Sequence, residues 1–77
     1  MPTAAREFER LPPHVMKKVA VALRALEHDP RPRNSKKLRG SRNTYRLRVG
    51  DHRVLYEIDE ARLLLTVIQI GARRDIY

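Results

Sequence analysis

Cysteine is absent from the chain, so no disulfide can staple it, and a zinc site would need three scattered histidines, His14, His28 and His52, helped by carboxylates. No metal and no cofactor is expected. Long apolar runs are missing too: the longest, Leu63 to Ile70, is broken by Thr66 and Gln69 and falls far short of the roughly 20 residues a membrane-spanning helix needs. The first ten residues carry four charges and no apolar segment of the kind a secretion signal uses. A soluble cytoplasmic protein without membrane contact is the expectation. Acidic side chains are scarce in one place above all. From Arg31 to Arg53, Asp51 stands alone against nine basic residues, Arg31, Arg33, Lys36, Lys37, Arg39, Arg42, Arg46, Arg48 and Arg53, for a net +8. The flanks are nearly neutral, with net +1 over residues 1–30 and net −1 over residues 54–77. Such a block attracts polyanions, although a solvated charge run is the plainer reading until geometry is considered.

What is present fits one domain spanning residues 1–77, small enough that stability is marginal and a partner is expected to supply missing contacts. Thr3 can cap a short helix carrying Ala4, Ala5, Phe8 and Leu11. Pro12-Pro13 then stops it and opens a second helix, because proline is tolerated in a first helical turn. In that helix Val15, Val19, Ala22, Leu23 and Leu26 form one apolar stripe, with Lys17, Lys18 and Arg24 off it. Asp29-Pro30 and Pro32 end it, and Arg31 to Asn43 reads as a basic loop anchored by Leu38.

Thr44–Val49 and Arg53–Ile58 alternate with period two and predict strands, joined by Gly50-Asp51 as a two-residue hairpin with glycine first, as a type II′ turn requires. That loop fixes a register. Val49 faces His52, Leu47 faces Val54 and Tyr45 faces Tyr56 on one apolar face; the other face pairs Arg48 with Arg53, Arg46 with Leu55 and Thr44 with Glu57. After the turn Asp59-Glu60-Ala61-Arg62, Leu63–Ile70 is apolar on both faces, as an interior strand would be. The fold class is therefore α+β, an N-terminal helical hairpin packed on a small antiparallel sheet, a three-strand meander.

Arg46, Arg48 and Arg53 converge on one face. Like charges directly opposite on a sheet destabilise it, so a ligand should gain from them, and phosphate is the natural one because arginine forks match its oxygens. Glu57, Asp59 or Glu60 neutralising part of the cluster is the structural alternative. The tail Gly71-Ala72-Arg73-Arg74-Asp75-Ile76-Tyr77 adds two arginines and a tyrosine, which on its own reads as an ordinary packing residue.

Three blocks, Lys36-Lys37-Leu38-Arg39-Gly40, Tyr45 through Tyr56 and Gly71 through Tyr77, together resemble the RelE/ParE toxin superfamily of type II toxin–antitoxin systems, over roughly residues 4 to 77. The resemblance is to the RelE branch in particular. It implies a toxin that is a metal-independent endoribonuclease, cleaving messenger RNA in the ribosomal A site by attack of a 2′-hydroxyl on its adjacent phosphate. By the same resemblance Arg46 and Arg48 grip the RNA backbone and help activate the nucleophile, and Arg53 contacts the scissile phosphate. Arg73 stabilises the transition state or protonates the leaving oxygen, and Tyr77 stacks on a base and acts as general base. Lys36, Lys37, Arg39, Arg42 and Arg74 would hold RNA or ribosome, and a cognate antitoxin would cover the basic face. Tyrosine near pKa 10 and arginine above about 12 are poor proton carriers at neutrality, so catalysis must lean on positioning and charge stabilisation.

Two departures from the family accompany the resemblance. Relatives usually begin with a strand, whereas Met1-Pro2-Thr3 shows no strand-like run, so a sheet edge is left for a strand from the antitoxin or from a second copy. Position 72 is alanine where many relatives carry histidine or a basic residue. The rival readings are a ParE-like inhibitor of DNA gyrase on the same scaffold, and a non-catalytic nucleic-acid binder with steeply salt-dependent affinity.

Overall fold

The computed structural model describes residues 3–72. Helix α1 spans Ala4–Glu9 and α2 spans Pro13–Leu26; strands follow at Ser35–Lys37 (β1), Thr44–Val49 (β2), His52–Asp59 (β3) and Leu64–Ala72 (β4). All pairings are antiparallel, in the order β1-β2-β3-β4. The expected helical hairpin on an antiparallel meander is there, with a fourth strand that the sequence did not announce.

Each helix begins where its chemistry dictates. The Thr3 hydroxyl accepts from the Arg6 N–H at 3.2 Å and caps α1. Helix α2 has no side-chain cap, but Pro13 occupies its first turn and the Pro12 carbonyl accepts from Val15 and Met16. The stripe on α2 buries Val19 and Leu26 completely or nearly so, with Val15, Ala22 and Leu23 packed at its margins. These meet Leu47, Val54, Tyr56, Ile58 and Ile70 from the inner face of the sheet. A fully buried aliphatic side chain of this kind contributes about 1.5–3 kcal/mol by leaving water.

The β2–β3 register matches the expected one at every pair, from Val49↔His52 to Thr44↔Glu57. Gly50 has φ +59° while Asp51 is not in the left-handed region, which is the type II′ pattern. Leu63–Ile70 departs from expectation, because among the described residues β4 is an edge strand and not an interior one. Its inner residues Leu65, Val67 and Ile70 pack on the core, while Leu64 and Ile68 remain 53% and 42% exposed. A bulge accounts for Ile68: Leu55 pairs with Gln69 and Tyr56 with Val67, leaving Ile68 as the extra residue.

Two features of the turns carry testable energetics. Leu63, in the β3–β4 turn, has φ +53° and is 92% exposed, a left-handed conformation that disfavours a branched side chain by about 1–2 kcal/mol. Leu63→Gly, after the added entropy of glycine, is expected to raise stability by roughly 0.5–1 kcal/mol, read as a higher midpoint in urea. The loop after α2 is held by tyrosines. The Tyr56 hydroxyl donates to the Pro30 carbonyl at 2.7 Å, and its ring stacks on Tyr45 at 5.7 Å between centroids. Arg31 lies over the Tyr45 ring at 5.4 Å, donates from Nε to the Tyr45 hydroxyl at 2.9 Å, and pairs with Glu60. The Tyr45 hydroxyl first, and then Glu60, hold the Arg31 pKa above its ordinary value.

Burial pushes the Tyr56 phenol above its ordinary pKa. A raised folded pKa means the fold binds this proton more tightly than the open chain does. Its contribution is therefore complete below about pH 10, the unfolded value, and is lost as pH climbs toward the folded one. Tyr56→Phe is expected to cost about 1 kcal/mol at neutral pH through the lost hydrogen bond. Denaturation at mildly and strongly alkaline pH should show a shallower loss of stability in that variant than in the wild type.

Candidate nucleic-acid interface

The outer face of the sheet is built by strand alternation. With Tyr45, Leu47, Val49, Val54 and Tyr56 turned to the helices, Arg46, Arg48 and Arg53 must project the other way, and Arg48 sits directly opposite Arg53. Strand β1 adds Lys36 beside Arg46. Arg33, Asn34, Lys36, Arg46, Arg48 and Arg53 together line a hollow of about 340 Å³, and no carboxylate among the described residues lines it. Asn34 fixes the hollow's rim by a reciprocal clasp: its Nδ2 donates to the Arg48 carbonyl at 2.8 Å, and the Arg48 N–H donates to the Asn34 carbonyl at 3.1 Å. Of the three acids considered as neutralisers, Glu60 pairs with Arg31 and Asp59 with Arg62 at 3.8 Å, while Glu57 lies opposite Thr44 on the outer face.

The basic block is thus sorted into two populations. Arg46, Arg48, Arg53 and Lys36 are brought together. Lys37 pairs with Tyr45 and so falls on the opposite face of β1, while Arg39 is exposed in the β1–β2 connection, a turn in which Gly40 takes φ +82°. Arg42 lies at the far end of β2 against a separate hollow shared with Asp59, Glu60 and Arg31. Arg73, Arg74 and Tyr77 lie outside the described residues. Arg33 and Asn34 were missed by sequence reasoning. The signal available was the pairing of Lys36 with Arg46, which by simple counting sets Asn34 opposite Arg48 and carries Arg33 to the rim.

A larger hollow of about 720 Å³ opens between the end of α2 and the β3–β4 turn, lined by Leu26, Pro30, Ile58 and Leu63 to Leu65. Its one cation, Arg31, is engaged with Glu60, so this hollow offers nothing to a phosphate chain. Among the described residues no three histidines or carboxylates gather to hold a metal ion, and no helix is long and apolar enough to cross a membrane. What the basic hollow can do chemically is hold a phosphodiester by several forks at once and stabilise charge that grows on its oxygens.

The chain resembles known proteins over nearly all its length. Residues 1–77 match the family described as the ParE toxin of type II toxin–antitoxin systems. Toxin RelG of Mycobacterium tuberculosis is 30% identical over 76 residues, which cover 97% of this chain and 87% of the relative. The RelBE2 toxin–antitoxin complex of the same organism contains a chain 31% identical with TM-score 0.78, covering 95% of this chain and 91% of that one. The archaeal RelE–RelB complex from Pyrococcus horikoshii gives TM-score 0.80 at 25% identity, covering 91% and 85%. A family match along the whole chain, a curated relative at this identity and the shared architecture agree: the chain belongs to the RelE/ParE superfamily of type II toxin–antitoxin toxins.

Proposed function

We propose that this toxin is a ribosome-dependent endoribonuclease that cuts messenger RNA in the A site and so stops translation. The observation that carries the reading is the hollow ringed by Arg33, Lys36, Arg46, Arg48 and Arg53 on the outer sheet face. Arginine forks match the oxygens of a phosphodiester and stay charged at neutral pH, so several of them on one face suit a seated phosphate. In the proposed reaction the 2′-oxygen of one nucleotide forms a bond to its adjacent phosphorus while the bond from phosphorus to the 5′-oxygen of the next breaks, leaving a cyclic phosphate. The 2′-hydroxyl proton passes to a base and the departing 5′-oxygen takes one up. Arg46 and Arg48 hold the backbone and favour the deprotonated nucleophile; Arg53 faces the charge on the phosphorane oxygens. Arg73 and Tyr77 complete the set as leaving-group stabiliser and general base. With such weak proton carriers, alignment of the RNA by the ribosome supplies much of the rate, and free RNA is a poor substrate.

The single domain acts with a cognate antitoxin, in keeping with the RelB-bound state of the solved relatives. Acidic and apolar side chains of that partner would cover the hollow and block RNA.

A second reading rests on one observation, the match of the whole chain to a family described by its ParE members. On that reading the same surface binds DNA gyrase and no RNA is cut. The two separate in a coupled transcription–translation extract. The nuclease reading expects amino-acid incorporation to stop first while gyrase supercoils plasmid normally; loss of supercoiling with translation intact would replace it by the gyrase reading.

A further inference from the structure

The outer face of the sheet is not uniformly basic, and cross-strand pairing sorts its side chains into three rows. Nearest the β2–β3 hairpin, Arg48 lies beside Arg53 and Arg53 beside Gly71. The next row runs Lys36, Arg46, Leu55 and Gln69, and the one after it Thr44, Glu57 and Thr66. Leu55 breaks the pattern of its strand. The other apolar residues of β3, namely Val54, Tyr56 and Ile58, belong to the core. Leu55 alternates with two of them, Val54 and Tyr56, and so is turned outward, half-buried, with Arg46 and Gln69 as its cross-strand neighbours. Gln69 is also half-buried, and it precedes the buried Ile70 on β4. Among the described residues its side-chain amide makes no hydrogen bond.

We propose that Leu55 and Gln69 form a base-binding subsite beside the basic hollow, which takes the purine of a nucleotide whose phosphate lies on Arg48 and Arg53. The subsite rests on the reading of the hollow as an RNA site. Leu55 follows Arg53 by two strand residues, about 6.7 Å, which matches the reach from a phosphate to the base of its own nucleotide. Gln69 lies one strand further on, about 4.8 Å away. The two fused rings of a purine laid on Leu55 extend to that amide, and the single ring of a pyrimidine held by the same phosphate stops short. The leucine side chain gives the face of the base an apolar platform. The amide presents one donor and one acceptor in a plane, a pair that adenine matches with N6–H and N7 and guanine with N1–H and O6.

Charge sets the direction of the nucleotide. Arg48 and Arg53 stand in the first row, and Glu57 is exposed in the third. A phosphate is drawn to the one and repelled by the other, so the base points from Arg53 toward Leu55. Arginines at positions 46, 48 and 53 hold phosphate without regard to the base; Leu55 and Gln69 add a surface that a base can use and a phosphate cannot.

The test measures binding of 2′-deoxy trinucleotides, which lack the attacking hydroxyl and cannot be cut. Each has thymine at both ends and adenine, guanine, cytosine or thymine in the middle. Fluorescence anisotropy at one fixed low salt concentration should show the purine-centred strands binding more tightly than the pyrimidine-centred ones by about fivefold or more, the low end for a two-bond base contact. Gln69→Leu keeps the size of the side chain and should remove that preference while leaving the pyrimidine-centred affinities as they were. Leu55→Asp should weaken the purine-centred strands most. In magnetic resonance spectra the Gln69 side-chain amide should shift with the adenine-centred strand and hardly move with the all-thymine one. Equal affinity for all four strands overturns the proposal, as does a purine preference that survives Gln69→Leu. A uniform loss across the four strands in Gln69→Leu also overturns it, and would make Gln69 a scaffold residue. A purine preference removed by Gln69→Leu in a chain that cuts no messenger RNA would sustain the subsite and sink the nuclease reading.

Discussion

Arg48→Ala is expected to reduce ribosome-dependent mRNA cleavage by about 10²–10³-fold, the loss typical when one group that stabilises a developing oxyanion is removed. Arg46→Ala and Arg53→Ala should fall in the same range. Lysine at position 48 keeps the charge but loses the two-pronged fit to phosphate, so an intermediate rate is expected. Stability separates this role from a structural one. Arg48 faces solvent, stands directly opposite Arg53, and among the described residues makes through its side chain only a long 3.5 Å contact from Nε to the Gly50 carbonyl. Removing it relieves like-charge repulsion on the sheet, so the midpoint in urea should hold or rise slightly, by a few tenths of a kcal/mol, while activity collapses. Parallel loss of activity and stability would instead make Arg48 a scaffold residue.

Tyr56→Ala should produce the largest loss of stability in the chain. Tyr56 is fully buried, the largest of the side chains in the core, stacked on Tyr45 and tied by its hydroxyl to the loop after α2. Truncating a buried aromatic costs about 3–5 kcal/mol. A domain of this size holds roughly 4–12 kcal/mol in all, so the variant should be near or past its folding threshold at 37 °C. Urea unfolding followed by far-UV circular dichroism checks this. Because Pro30 and Arg31 lead into β1, the variant should also loosen the rim formed by Arg33 and Asn34. A loss below about 1 kcal/mol, with the loop still protected from protease, would show that the tyrosine pair is not what fixes the loop.

Much of this architecture is legible in the residues because local rules determine it. A two-residue loop beginning with glycine permits one phase of pairing, and that phase alone places Arg48 opposite Arg53. The same kind of rule marks Thr3 as a cap and the prolines as the joint between the helices. Strand β1 escapes for the opposite reason. Ser35-Lys36-Lys37 has no apolar alternation, and its place is set by nonlocal bonds such as that of Asn34 to Arg48, so a loop was the natural expectation. With β1 unseen, Lys36 and Lys37 could not be assigned to opposite faces, and Arg33 could not be joined to the cluster. An apolar run on both faces of β4 signals burial on both faces but does not name the neighbour. Here the inner face meets the helices, and among the described residues no strand lies beside the outer edge.

The most direct test of the central claim adds the purified chain to a translating extract and maps messenger ends by primer extension, with Arg73→Ala and Tyr77→Phe run beside the wild type. The endoribonuclease reading predicts new ends inside codons, present only with ribosomes and fading in both variants. No new ends, at toxin concentrations that arrest translation in the same extract, would contradict it.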